Sequence, residues 1–339
     1  MNDHIPRVSV VMSVYNGTMF LREAVESILN QTFTDFEFII IDDGSTDGTA
    51  QIFDSYADPR IILIKNKQNI GLAASLNKGI AIARGNYIAR MDADDISFPD
   101  RLARQICFLQ KNHEIGVLGT SAQVIGELGN EIGVLQYPIE HHLIEWGICF
   151  GSPFVHSTVM IRSDMLRRVG GYSTDILCAE DRDLWQRLSR VAKFCNLRDI
   201  LIKHRQHGNS VSRKYSSIQK QSDLKIARRM MQQILRRNVP EETVRLLLTR
   251  DKFYFPDVYR TANLLSELYY AYTNGYNLKK REKDSIRKEV AHKLYDLSAS
   301  SPYQMLKFIY LACKLDPVLV SRIVRAITRR MLKSGYSGG

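Results

Sequence analysis

Three carboxylates stand together in MDADD, Met91 to Asp95, where the apolar run NYIARM stops. Charges of one sign this close repel, and each is costly to desolvate, so the cluster needs compensation. A divalent cation is the usual compensator, and hard carboxylate oxygens suit Mg²⁺ or Mn²⁺. Such ions commonly bridge a protein carboxylate to a phosphate. Asp92 and Asp94 are two residues apart, so on an extended segment both point to one side and can serve one metal–diphosphate unit. A solvated turn with capping aspartates is the plainer alternative. The apolar strand before the cluster, with Asp95 and Pro99 after it, argues for a site. A second acidic stretch, IIIDDGSTDGT, closes another apolar run, with Asp43 49 residues ahead of Asp92. A carboxylate there can accept the imide N–H of a pyrimidine base, and Gly44 allows a tight turn. Asp47 and Thr49 read as turn and helix-cap residues.

The elements that must position these groups alternate. Residues 8–14 (VSVVMSV), 36–41, 61–64 and 86–91 have the apolar, β-branched texture of buried strands, and 19–30, 49–57 and 72–83 have helical spacing. Alternation of this kind predicts βαβ units and a parallel sheet with helices on both faces. Ligands of such sheets bind beyond the strands' C-terminal ends, where Asn16, Asp42, Asp43, Asp92 and Asp94 all fall. A helix is expected from Pro99 to about Lys111. A hairpin or two strands are expected over 115–136 through Gly129–Asn130, then strand 158–161, helix 180–190 and strand 199–203. From about Tyr215 the texture becomes helical, basic and Tyr-rich, which sets domains at 1–214 and 215–339.

Composition narrows the class. The hydrophobic fraction of 45% and charged fraction of 24% are ordinary for a globular protein. Five scattered cysteines without a CxxC offer neither a disulfide framework nor a zinc site. No secretory leader and no apolar run of about 20 residues is seen, so the expectation is a cytoplasmic protein, peripheral at most to the membrane. The net charge of +11 is uneven: residues 1–200 carry 19 Lys and Arg against 25 Asp and Glu, and residues 201–339 carry 28 against 11. Such a basic segment suits an anionic partner, such as lipid head groups or a polyanionic acceptor. Within it, 318–333 places Leu319, Val320, Ile323, Val324, Ile327 and Met331 on one helical face and Arg322, Arg325, Arg329, Arg330 and Lys333 on the other. That pattern fits a helix on an anionic membrane surface, or one packed on the protein with a solvated basic back.

Taken in order, VSVVMSVYNG, IIIDDGSTDGT, NIGLAASLNKGI, ARGNYIARMDADD, the pair Glu180–Asp181 and HRQHGNSVS resemble the family 2 glycosyltransferases of GT-A fold over residues 6–212. The resemblance does not extend to 213–339. It implies an α/β fold with a Rossmann-like, mostly parallel sheet flanked by helices, here followed by a helical basic C-terminal extension. It also implies inverting transfer of a hexose-type sugar from a nucleotide-diphospho-sugar, UDP-linked by expectation, with Mn²⁺ or Mg²⁺. The acceptor would be a saccharide or lipid-linked saccharide of a cell-surface polysaccharide.

Residue by residue, the resemblance sets Val14 and Tyr15 beside the base and Asp43 on it. Asp92 falls near the ribose and diphosphate, and Asp94 on the metal. Asp181 matches the general base, with Glu180 beside it on the acceptor side. Arg205 and His207 belong to a late loop over the diphosphate and metal. Asn77 and Arg101 would line the nucleotide pocket. On residues alone, Asp181 and Asp183 could equally serve the start of a helix. His156 reads either as an acceptor-side group or as a satisfied structural histidine.

Other classes fit less well. A nucleotidyltransferase would carry a Gly-rich phosphate loop after the first strand, and a dinucleotide-dependent oxidoreductase a GxGxxG; VYNGTMFLRE is neither. A non-catalytic anion-binding protein acting through residues 213–339 leaves the acidic cluster unexplained. Nucleic acid is not expected as a partner, because no recognisable nucleic-acid motif is present.

Overall fold

The computed structural model describes residues 4–208, 215–248 and 257–298. The chain divides into two compact units, residues up to Ile226 and residues from Ala227. The first is built on strands β1 (Val8–Val14), β2 (Phe36–Asp42), β3 (Ile61–Lys65), β4 (Tyr87–Asp92), β5 (Ile96–Ser97), β6 (Ile115–Ile125), β7 (Glu131–Leu135), β8 (Met160–Arg162) and β9 (Lys193–Arg205). Its helices are α1 (Leu21–Leu29), α2 (Thr49–Asp54), α3 (Leu72–Ile82), α4 (Arg101–Lys111), α5 (His141–Ile148), α6 (Ser163–Arg168) and α7 (Glu180–Leu188). A short 3₁₀ turn covers His156–Thr158. Helix α8 (Ser216–Leu235) leads into the second unit, where α9 (Glu241–Leu248), α10 (Asp257–Gly275) and α11 (Lys280–Ser298) follow. The amphipathic stretch 318–333 lies outside the described residues. No described helix is long and apolar enough to cross a membrane.

The strands form one sheet in the order β3-β2-β1-β4-β8-β6-β9-β5, with β7 paired to β6. Pairing is parallel along β3-β2-β1-β4 and again between β6 and β9. Short antiparallel contacts join β4 to β8, β8 to β6 and β5 to β9. Every residue of β1 and β2 is buried, as expected of parallel strands covered on both faces. Alternate residues feed two cores. Val10, Met12, Phe38, Ile40, Ala89 and Met91 pack with Leu21, Val25, Leu102 and Ile106 of α1 and α4. Val11, Ile39, Ile41 and Ile88 pack with Leu76, Leu166, Leu184 and Trp185 of α3, α6 and α7. Each such side chain contributes about 1.5–3 kcal/mol by leaving water.

Register carries the functional consequence. Val14 lies opposite Asp42, and Ser13 opposite Asp92, so three parallel strands end at one level. Strand β9 runs 13 residues rather than the five expected at 199–203, bulging twice along β6. Its far end pairs with β5, Lys203 against Ile96, which carries His204 to His207 back to the exit of β4. The hairpin β6–β7 turns through Gly129 at φ +83. Helices α5 and α6 were not expected from sequence.

Beneath α3 a polar clamp holds the entry to β4. Glu37 accepts Ser9 Oγ at 2.6 Å and Arg84 N at 2.7 Å, and Gly85 N donates to Ser9 Oγ at 2.9 Å. A Cβ on Gly85 would sit 2.5 Å from Ser9 N and 2.7 Å from the Val8 carbonyl carbon, both backbone atoms of β1. Gly85→Ala is expected to destabilise the protein by about 1–3 kcal/mol and lower Tm by roughly 3–10 °C. An unchanged melting curve would show that β1 yields freely there.

Candidate active site

The exit of β4 is fixed by Asp95, whose carboxylate is fully buried. It accepts the Ser157 hydroxyl from the 3₁₀ turn, Arg205 N at 2.8 Å, and His204 Nδ1 at 3.2 Å from both its oxygens. Burial opposes a charge on His204, but the hydrogen bond and charge of Asp95, with Asp92 and Asp94 beyond, raise it to about 9. His204 is therefore an imidazolium at neutral pH, and the pair is an ion pair.

Beside it, His207 Nε2 pairs with Asp94 Oδ2 at 2.9 Å, and the His207 ring leans on Phe20 with centroids 4.9 Å apart. Burial pushes the Asp94 carboxyl up, as do the charges of Asp95 and Asp92, while His207 pulls it down. A carboxylate short of positive charge, next to an imidazole, is a fitting donor set for Mn²⁺ or Mg²⁺. Arg205 is turned inward. Its guanidinium donates to Asp94 O at 3.0 Å, Glu127 O at 3.0 Å and Glu23 Oε2 at 2.6 Å, and stacks 4.5 Å above Phe20. In this arrangement it locks β9 to α1 and the hairpin.

At the β1 and β2 ends, Val14 is buried and Tyr15 is half exposed. Asn16 stands at φ +54, with its Oδ1 accepting Thr46 N at 2.8 Å. Asp43 is buried and accepts Asn66 Nδ2, Ile70 N and Gly71 N at 2.8–2.9 Å. It thus folds the 66–71 loop over the strand ends. Gly44 lies against Gln68, where a Cβ would come 2.5 Å from its carbonyl carbon. Two expected pocket residues are engaged elsewhere. Asn77 pairs with Tyr172 through both main-chain groups, each at 2.8 Å. Arg101 does not line the pocket: it is wholly buried on the α4 side, donating to Arg90 O at 2.8 Å. A long cationic side chain in a helix's first turn reads as solvated or ligand-facing in sequence, and the helix rotation that buries it is invisible there.

Behind Asp92 lies Arg90, on the same face of β4 and only 3% exposed. Its Nη2 donates to Asp92 Oδ1 at 2.5 Å, while Nε and Nη1 are buried with no acceptor among the described residues. Each unmatched buried donor costs on the order of 1–3 kcal/mol. Burial works against the charge on Asp92, yet Arg90 and His204 hold its carboxyl below the usual range. His156 pairs with Tyr172 Oη at 2.7 Å; burial, then Arg90, pushes the imidazole down to about 3, so it stays neutral.

Across from this group, α7 opens with Glu180 and Asp181. Trp185 Nε1 donates to Ser152 Oγ at 3.2 Å, and Ser152 Oγ lies 3.0 Å from Asp181 Oδ2, donating to it. Burial holds the Asp181 carboxyl above the usual range, against hydrogen bonds from Arg182 and Ser152. Burial and then the charge of Asp181 push Glu180 up to about 7. Arg90 and Asp92 also act on Glu180, so both ends of the constellation are within electrostatic reach. Asp183 pairs with Arg187 at 2.7 Å.

Residues 9–170 match the sequence profile of glycosyl transferase family 2. EpsE of Bacillus subtilis is 42% identical over 216 residues, covering 62% of this chain and 76% of that one. An uncharacterised glycosyltransferase of Haemophilus influenzae is 35% identical over 239 residues, 67% of this chain and 73% of that one. The chain belongs to glycosyl transferase family 2. Among solved structures, S. aureus TarS 1-349 in complex with UDP-GlcNAc aligns over 91% of this chain and 88% of its own at TM-score 0.58 and 19% identity. The mannosyltransferase PcManGT of Pyrobaculum calidifontis, with GDP-Man and Mn²⁺, aligns over 93% and 87% at TM-score 0.52 and 16% identity. These two share the fold.

Sequence reasoning gave no role to Arg90, His204, Ser152 or Tyr172. Arg90 carried a signal, since an arginine in the middle of an apolar strand needs a partner. The others depend on contacts across 16 to 109 residues and had none. Glu180 offers a test of the pocket's dryness. An acid raised from 4.5 to about 7 in the fold stabilises below the lower value and loses that contribution as pH rises through the upper one. Glu180→Gln is therefore expected to flatten the fall in Tm between those pH values and to exceed the parent's Tm above about pH 7. Parallel Tm curves would show that Glu180 is well solvated.

Proposed function

We propose that this glycosyltransferase moves a hexose from a nucleotide-diphospho-sugar, UDP-linked by preference, to a hydroxyl of a saccharide or lipid-linked saccharide, with inversion. Residues 1–214 form the catalytic domain in this proposal. The observation that carries it is the electrostatic reach between two chemistries: Asp92, with Asp94 and His207 beside it at the strand ends, acts on Glu180, the neighbour on α7 of Asp181, whose carboxyl burial holds above its usual range. A cell-surface polysaccharide is the favoured destination. One relative, the O-antigen biosynthesis glycosyltransferase WbnJ of Escherichia coli, is 32% identical over 211 residues, 61% of this chain and 82% of that one. The basic excess of residues 201–339 suits an acceptor presented at an anionic membrane surface.

The proposed roles are supported by the geometry. Val14 and Tyr15 border the base, and Asp43 shapes the loop that covers it. Asp94 and His207, with Asp92 beside them, would hold Mn²⁺ or Mg²⁺; bound there, the ion supplies positive charge beside the diphosphate. Asp181 takes the proton of the acceptor hydroxyl as its oxygen bonds to the anomeric carbon. The bond from that carbon to the diphosphate breaks, and the nucleoside diphosphate leaves with the electron pair. Burial suits Asp181 to this task because a carboxyl raised above its usual range is a stronger base. Ser152 and Trp185 hold its orientation, and Glu180 and His156 lie on the acceptor side.

The 339-residue chain, incubated with Mn²⁺ and UDP-hexoses or GDP-mannose, is expected to release nucleoside diphosphate from at least one donor. Asp181→Asn should lower kcat by about 10²–10⁴-fold with donor KM little changed. Retention of full turnover by that variant would remove Asp181 as the base. Chelation with EDTA should abolish turnover, and Mn²⁺ or Mg²⁺ should restore it. Undiminished turnover in EDTA would rule out the metal assignment to Asp94 and His207.

A further inference from the structure

Arg90 is the least satisfied charged group in the buried part of this site. It occupies a central strand on the face that carries Ile88, a residue of the core that includes Phe154 and Trp185. One nitrogen is matched by Asp92, and Nε and Nη1 have no protein acceptor among the described residues. A guanidinium presents its donors in a fixed fork, so side-chain rotation cannot hide the unmatched ones. A fold that needed only a partner for Asp92 would be served by a shorter donor. The unmatched nitrogens are the signature of a binding group waiting for oxygen atoms.

The position says which oxygens. Arg90 touches Asp92 on the nucleotide side, and its charge acts on His156, Tyr172 and Glu180 on the acceptor side. In a direct displacement the transferred sugar must lie between the leaving diphosphate and the base. A sugar held there would lie against the face of β4 that carries Arg90. An anionic sugar substituent would face Asp92, Glu180 and Asp181, three acids against this one arginine. Neutral acceptors, hydroxyl or N-acyl carbonyl oxygens, face no such repulsion.

We infer that Arg90 is a specificity-determining residue that donates from Nε and Nη1 to neutral oxygens of the transferred hexose. The inference rests on the donor-site assignment proposed above. Both nitrogens are shielded from solvent, so the contact forms as the side chain turns toward the sugar or across one bridging water.

The test separates sugar from nucleotide. Binding of UDP and of UDP-hexoses, each with Mn²⁺, is measured by calorimetry for the parent, Arg90→Met and Arg90→Lys. Arg90→Met is expected to weaken binding of the preferred UDP-hexose by on the order of 10–100-fold. Its affinity for UDP should fall by a clearly smaller factor, through Asp92 alone, and its preference among hexoses should shrink. Arg90→Lys should fall between, and it carries the same comparison if the methionine variant does not fold. Equal losses for UDP and UDP-hexose would show that Arg90 only holds Asp92, and the inference fails. Unchanged binding of both overturns it as well. A parent protein that binds no nucleotide overturns the donor-site assignment itself, a different result from a parent that binds while its variants bind sugar and nucleotide alike.

Discussion

The site depends on one buried ion pair. Asp95, at the exit of β4, has no exposure, and its partners come from the 3₁₀ turn at Ser157 and the end of β9 at His204 and Arg205. No strand ladder joins β4 directly to β9; the sheet places β8 and β6 between them. The carboxylate closes that gap. A buried charge left alone costs far more than one paired and hydrogen-bonded, so the three segments are held together by the penalty for separating them. Because Asp95 is next to Asp94, and His207 two residues past Arg205, the same contact delivers the Asp94–His207 pair.

That arrangement explains why Arg205 faces inward. Its main-chain N–H is already committed to Asp95, and its guanidinium then reaches Glu23, Glu127 and the Asp94 carbonyl. These contacts tie the hairpin and α1 to the end of β9. Positive charge at this end of the site is supplied by histidine, with Arg205 acting on the frame around it. Histidine suits the task because its charge answers to its neighbours: Asp95 makes His204 a cation, whereas burial and Arg90 keep His156 neutral.

Much of the frame was legible in the sequence because parallel strands covered on both faces read as unbroken apolar runs. VSVVMSV and FEFIII gave β1 and β2 within a residue, and the acids at their ends followed from the rule that ligands bind beyond strand C-termini. The family motifs then supplied Asp94, Asp181 and His207, which periodicity alone leaves ambiguous. What was not legible depends on direction. Asn77 and Arg101 lie near the site along the chain, but Asn77 clamps Tyr172 and Arg101 faces the α4 core. Helical phase settles such cases, and a pattern that mixes polar and apolar residues does not reveal it. Likewise β9 was read five residues long because DILIK is its only apolar stretch, while its earlier half is held by the β6 ladder.

The acids of the site differ in one respect that orders them by task. Asp95 is balanced by His204 and Asp92 by Arg90, each through a direct contact, and both have structural neighbours on several sides. Asp94 has His207, yet two further carboxylates press on it and its carboxyl remains raised. Asp181 has a serine hydroxyl, a main-chain N–H and the next arginine in sequence, and its carboxyl also remains raised. The fold has the means to neutralise acids and does so at two of these four. The two it leaves short of positive charge stand on different elements, Asp94 past the end of β4 and Asp181 at the start of α7, which suits the cation and proton roles proposed for them. Undercompensation keeps each energetically receptive to its partner, which a fully paired carboxylate would not be.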